Sequence, residues 1–267
     1  SSGGEDGYVS VEVSPSLAHD EAGTVAAARE LDDRIDAPNL YIKVPATAEG
    51  IPAIKTLIGE GRSINVTLIF GLERYEEVME AYLAGLESCD ADNLSSISSV
   101  ASFFISRVDT EVDRRLEEVG SEQALALRGK AAVAQGRLAY QLFLERFAGP
   151  RWDALAARGA RLQRPLWAST STKNADYPDT LYVDSLIGPN TVNTLPDSTL
   201  LAFDDHGTLA RTIDADPDTA RTVMDDLAEV GVDLDDVSAK LEAEGVASFS
   251  KSFDEVLDTL DSRTKSL

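Results

Sequence analysis

One cysteine (Cys89) and two histidines (His19 and His206) in 267 residues leave no disulfide framework, no Cys/His zinc cluster and little room for a Ser-His-Asp triad. Basic side chains are also scarce. The chain has 24 Lys and Arg against 47 Asp and Glu, and the resulting formal charge of −23 repels a phosphate backbone almost everywhere. No nucleic-acid partner is expected. No run approaches the roughly 18 uninterrupted apolar residues of a spanning helix, so no membrane partner is expected either. There is no Gly-rich phosphate turn after an early strand, which argues against an open dinucleotide-binding sheet. Internal repeats, Pro-rich linkers and composition breaks are absent too, so one compact domain is the simplest reading. Catalysis, if any, falls to carboxylates, hydroxyls, lysine or arginine.

Hydrophobic residues at 43% and charged residues at 27% describe a soluble globular chain. Six β-branched runs recur along it: residues 8–13 (YVSVEV), 40–44 (LYIKV), 64–70 (INVTLIF), 98–104 (SVASFF in its last six), 165–169 (PLWAS) and 191–195 (TVNTL). Between them, residues 19–35, 49–59, 72–87 and 110–118 carry apolar side chains at three- and four-residue spacing. This alternation predicts a parallel sheet with crossover helices. Residues 121–147 read as one long Ala-rich helix, and 217–267 as two or three acidic helices, with Gly231 and Gly245 as helix ends. The first residues, 1–7 (SSGGEDG), read as a polar loop without the apolar core of a secretory signal, and the chain is expected to begin mid-protein.

Several strand-like runs carry polar residues on one face or at their C-terminal ends, which is where a (β/α) barrel keeps its functional groups. Lys43 is the sharpest anomaly, because Ile42 and Val44 beside it belong in a core. A buried ammonium is costly, and desolvation favours the free amine, which attacks carbonyls. An edge-strand lysine with its head in solvent is the competing reading. The other six lysines mostly sit in patterns that suit solvent. Glu12 shares a face with Ser10, opposite Val9, Val11 and Val13, and reads either as a proton-handling carboxylate or as a structural ion-pair partner. Asn65, Thr67 and Ser102 extend polar character to later strands. Each alone is ordinary strand composition, but together they converge on one axis. Arg107 and Lys173 follow strand ends, where a barrel binds phosphate, with surface ion pairing as the alternative.

The runs VSVEV (9–13), YIKVPAT (41–47), NVTLIF (65–70), SVASFFISRVD (99–109), RPLWAST (164–170) and GPNTVNTLP (188–196) resemble the transaldolase family, in the long form found in actinobacteria. The resemblance covers essentially the whole chain in order. It implies an α/β fold, a (β/α)8 TIM barrel seen without its first two βα units. Residues 1–267 would form a single barrel domain, and 217–267, which keep an apolar stripe at 246–249 and 253–260, a helical extension packed on the barrel mouth or its outer helices. It further implies transfer of a dihydroxyacetone unit between sugar phosphates through a lysine Schiff base, in the non-oxidative pentose phosphate pathway, with no cofactor and no metal. Lys43 matches the Schiff-base lysine, Glu12 the proton-relay glutamate and Thr67 the threonine that helps hold the catalytic water. Asn65 and Ser102 match residues that hydrogen-bond substrate hydroxyls, and Arg107 matches the phosphate-binding arginine.

The chain departs from the family in two places. Many members carry Ala-Ser-x-Arg-Asn after the seventh strand, with Ser and Arg on the phosphate. Here Ala168 and Ser169 are followed by Thr170, Ser171, Thr172, Lys173 and Asn174, so Ser169 keeps its place and Lys173 is a displaced substitute. The family's first two strands bring a catalytic Asp and an Asn, which are expected on roughly a hundred further residues upstream. A fructose-6-phosphate aldolase-like enzyme and a catalytically silent sugar-phosphate-binding scaffold are the alternative functions. Sugar phosphates are the expected partners, for a monomer or homodimer in the cytoplasm.

Overall fold

The β-branched runs pair side by side, each with the next in chain order. A computed structural model describes residues 7–265, so the polar loop expected at the start lies, apart from Gly7, outside the described residues. Strands β1 (Val9–Glu12), β2 (Leu40–Pro45), β3 (Ile64–Ile69), β4 (Ser99–Phe104), β5 (Arg164–Ala168) and β6 (Val192–Asn193) form one curled six-stranded sheet, parallel throughout. Parallel neighbours need long crossovers. These are α1 (Glu21–Ile35), α2 (Gly50–Gly59) and α3 (Leu72–Ser88), then α4 (Ser106–Val119), α5 (Glu122–Leu125), α6 (Ala131–Arg146) and α7 (Gly149–Ala157) between β4 and β5. Next come α8 (Leu181–Ser185), α9 (Asp197–His206), α10 (Pro217–Glu229) and α11 (Leu234–Lys265). The fold is α/β. Among the described residues no helix is long and apolar enough to cross a membrane.

Strand alternation divides the sheet into two unlike faces. Ile42, Val44, Ile64, Val66, Ala101, Phe103 and Trp167 point to the helices and are buried against Ile54, Ile58, Val78, Met79 and Tyr82. Each fully buried aliphatic side chain there contributes about 1.5–3 kcal/mol. The concave face instead presents Glu12, Lys43, Asn65, Thr67 and Ser102.

Three expectations need correction. The segment 121–147 is not one helix. It breaks after α5, where Gly129 adopts a left-handed φ of 71°. The Gly129 N–H donates to Asp113 Oδ1 at 2.9 Å and the Ala132 N–H to Asp109 Oδ1 at 2.7 Å. Two carboxylates on α4 thus satisfy amide donors at the start of α6, a contact that local periodicity does not encode. Second, α4 starts at Ser106, four residues before the expected 110, because the end of β5 takes over the work of a cap. The Ile105 N–H donates to the Ala168 carbonyl and the Ser106 N–H to the Ser169 carbonyl, both at 2.9 Å. Third, Gly245 ends nothing. It lies buried inside α11, where a Cβ would stand 3.0 Å from Leu68 Cδ2. Gly231, with φ 87°, does lie at the break between α10 and α11.

The tail crosses the strand ends. In the first half of α11, Val237, Leu241 and Gly245 are buried, and Ser238 Oγ donates to the Phe70 carbonyl at 3.1 Å just past β3. Ion pairs fasten the helix to α4, with Lys240 Nζ 2.9 Å from Glu111 and Arg115 2.6 Å from Asp236.

Candidate active site

Parallel register sets Glu12 of β1 directly opposite Lys43 of β2, and Lys43 opposite Asn65 of β3. All three therefore project from the same row of the concave face. Lys43 Nζ stands 3.7 Å from Glu12 Oε2, with the two side chains 21% and 27% exposed. Burial is the largest influence on both groups, and it disfavours charge in each. It lowers the Lys43 pKa despite the opposing pull of Glu12, and Arg107 lowers it further. It raises the Glu12 pKa despite the nearby ammonium. The amine is thus freer to act as a nucleophile and the carboxyl is a better proton donor than either would be in water.

A hydrogen-bond chain runs across the same face. Ser102 Oγ donates to Asn65 Oδ1 at 2.7 Å, and Asn65 Nδ2 donates to Ser10 Oγ at 2.9 Å. These bonds fix the amide of Asn65 between β1 and β4. Thr67 is fully buried on β3, and among the described residues its Oγ1 has no hydrogen-bond partner. The strand is irregular just past it: the register shifts between Val66 and Ile69, and Leu68 takes a left-handed φ of 60°. Such conformations cost about 1–3 kcal/mol and persist only where packing enforces them. Here Leu68 is buried against Gly245 of the tail.

The other rim of the cavity is cationic. Arg107 lies in the first turn of α4, half-buried, with its guanidinium 5.4 Å from the centre of the Phe104 ring. Ser169, immediately after β5, has a φ of 56°, and its Oγ is 2.8 Å from Ser106 Oγ. Lys173 is exposed on the following loop and donates to Ser171 Oγ at 2.6 Å.

All eight residues singled out in the sequence (Lys43, Glu12, Thr67, Asn65, Ser102, Arg107, Ser169 and Lys173) line one cavity of about 1080 Å³. The Lys43 head points into this space rather than into bulk solvent. Arg161 and Arg164 line the same cavity and were not nominated, nor were Ser10, Ser106 and Phe249, which touch the nominated residues. Ser10 was legible as the partner of Glu12 on its face. Ser106 sits inside a motif already quoted. Phe249 of α11, whose ring centre is 4.8 Å from Lys43 Nζ, gave no sequence signal beyond an apolar stripe. Among the described residues no three His, Cys, Asp or Glu side chains are grouped to hold a metal ion.

A recessed amine beside a carboxyl, hydroxyl and amide donors along the floor and a cationic rim can bind an anionic carbonyl compound and attack it. Comparison with known proteins points the same way. The family model described as Transaldolase/Fructose-6-phosphate aldolase matches residues 3–260. A protein named transaldolase from Parafrankia sp. (strain EAN1pec) is 55% identical over 262 residues, covering 97% of this chain and 71% of its own length. Its namesake from Mycobacterium leprae (strain TN) is 55% identical over 98% of this chain and 72% of itself. The one from Acidothermus cellulolyticus is 56% identical over 95% and 68%. With this likeness running through every strand of the cavity, the chain belongs to the transaldolase/fructose-6-phosphate aldolase family.

Proposed function

We propose that the chain is a transaldolase, moving a dihydroxyacetone unit from sedoheptulose 7-phosphate or fructose 6-phosphate to erythrose 4-phosphate or glyceraldehyde 3-phosphate. The carrying observation is the Lys43 amine, recessed on the concave face 3.7 Å from Glu12 with its pKa lowered by burial. The free amine adds to the donor ketone, and loss of water leaves a protonated imine. Glu12 relays protons through a water held by Thr67. The imine then takes up the electron pair of the breaking C3–C4 bond. The C4 hydroxyl loses its proton as an aldose phosphate departs, leaving an enamine on Lys43. That enamine attacks the acceptor aldehyde, whose oxygen takes a proton, and water hydrolyses the new imine.

Asn65 and Ser102 hold the hydroxyls of the bound unit. Arg107 and Ser169 take the phosphate, with Lys173 adding a point charge in place of a second guanidinium fork. In this reading the six strands belong to an eight-stranded (β/α) barrel, in which another strand carries the aspartate that accepts the C4 proton. The order of the parallel strands and the greater length of the relatives support it. Phosphorylated sugars do not leave the cell freely, which puts the reaction in the cytoplasm.

The test is to supply fructose 6-phosphate with and without erythrose 4-phosphate and follow the products by NMR. Sedoheptulose 7-phosphate should appear with the acceptor, with little free dihydroxyacetone without it. Equal release of triose in both arms would make the enzyme an aldolase, and no turnover in either would make it a binding scaffold.

A further inference from the structure

The roles in the activity proposed above fall to residues on strands, on a loop and at the start of α4, yet the tail helix brings an aromatic ring to the lysine. Several contacts fix where that ring sits. Gly245 and Phe249 are four residues apart and so share one face of α11. At Gly245 the helix lies against Leu68 and Phe70, and an added Cβ would press on Leu68 Cδ2 at 3.0 Å. Ser238, earlier on α11, donates to the Phe70 carbonyl, and the ion pairs of Lys240 and Arg115 hold the same half of the helix to α4. One turn beyond this close approach, the Phe249 ring centre stands 4.8 Å from Lys43 Nζ.

We infer that Phe249 is a positioning residue for Lys43, packing its ring against the amine so that water is excluded there and the uncharged nucleophile is favoured. The inference rests on the nucleophilic role of Lys43 proposed above. Two effects of the ring oppose each other. Its face attracts an ammonium, weakly where solvent is near. Its bulk removes water, which penalises the same charge. Burial is the leading influence on this lysine, and the ring at 4.8 Å is part of what buries it. The charged groups acting on the amine are Glu12 from β1, which favours the ammonium, and Arg107 from α4, which disfavours it. Asn65 and Thr67 on β3 are neutral. On α11 itself, Glu242 faces Arg74, His19, Glu49 and Glu77 instead.

The test reads the protonation of Lys43 directly. The full chain and its Phe249→Ala, Phe249→Asn and Phe249→Leu variants are labelled with fluorodinitrobenzene across a pH series, and the Lys43 peptide is quantified by mass spectrometry. Opening the cover with Ala should raise the labelling midpoint by about half to one pH unit, and Asn should move it at least as far. Leu keeps the apolar cover without the aromatic face, so its midpoint should lie at or below the wild-type value. At neutral pH the transfer rate of Phe249→Ala should fall about threefold to tenfold, recovering at pH above the shifted midpoint. An unchanged or lowered midpoint in both Ala and Asn variants would overturn the inference. Because labelling needs no sugar substrate, that result is distinguishable from a failure of the transfer assay in the wild-type chain.

Discussion

Glu12, Lys43, Asn65 and Ser102 stand on four adjoining strands, whereas Arg107, Ser169 and Lys173 stand at a helix start and on a loop. The first group is set by ladder register and tied together by direct contacts of 2.7–3.7 Å. The second depends on local backbone conformation, such as the left-handed Ser169, and grows more exposed toward Lys173. A group placed by a sheet is held tightly enough for bond making, while one on a loop can follow a mobile anion. The floor should therefore govern turnover and the rim should govern binding.

Substitutions break or sharpen that contrast in descending order. Lys43→Ala should lower kcat by about 10⁴-fold or more, measured in the coupled transfer assay. It also strips Glu12 of the cation that holds its pKa down, leaving burial unopposed, so the carboxyl should titrate at higher pH. A buried acid with a raised folded-state pKa stabilises the fold while protonated and loses that contribution as pH rises through the folded value. The melting-temperature deficit of Lys43→Ala should consequently grow from acid to neutral pH. Glu12→Ala should slow turnover about a hundredfold or more while still allowing some adduct on Lys43. On the rim, Arg107→Ala should raise KM by about tenfold to a hundredfold with a smaller change in kcat, the loss of a charge-assisted phosphate contact. Lys173→Ala should raise KM only about twofold, and the difference should vanish in about 1 M salt, as befits an exposed charge. Equal kcat losses at floor and rim would erase the distinction.

The floor was legible in sequence because its signal is local. A lysine between Ile42 and Val44, and a glutamate alternating with Val11 and Val13, announce an inward polar face within five residues. Arg107 and Lys173 were legible as residues that follow a strand, whereas Ser169 stood at the end of an expected strand and was nominated through the family resemblance. The break at Gly129 was not, because it depends on Asp109 and Asp113 from a neighbouring helix. Gly245 read as a helix end because glycine commonly is one, whereas here its missing side chain admits Leu68. Phe249 reaches Lys43 only once the whole tail has docked, and no spacing along the chain records that contact.

The central claim is that Lys43 forms the covalent link to the sugar. Incubation with fructose 6-phosphate, reduction with borohydride and peptide mass spectrometry test it most directly. A three-carbon glyceryl adduct on the Lys43 peptide, lost in Lys43→Ala, is the predicted result. An adduct on any other lysine, or none while transfer proceeds at full rate, would contradict the account.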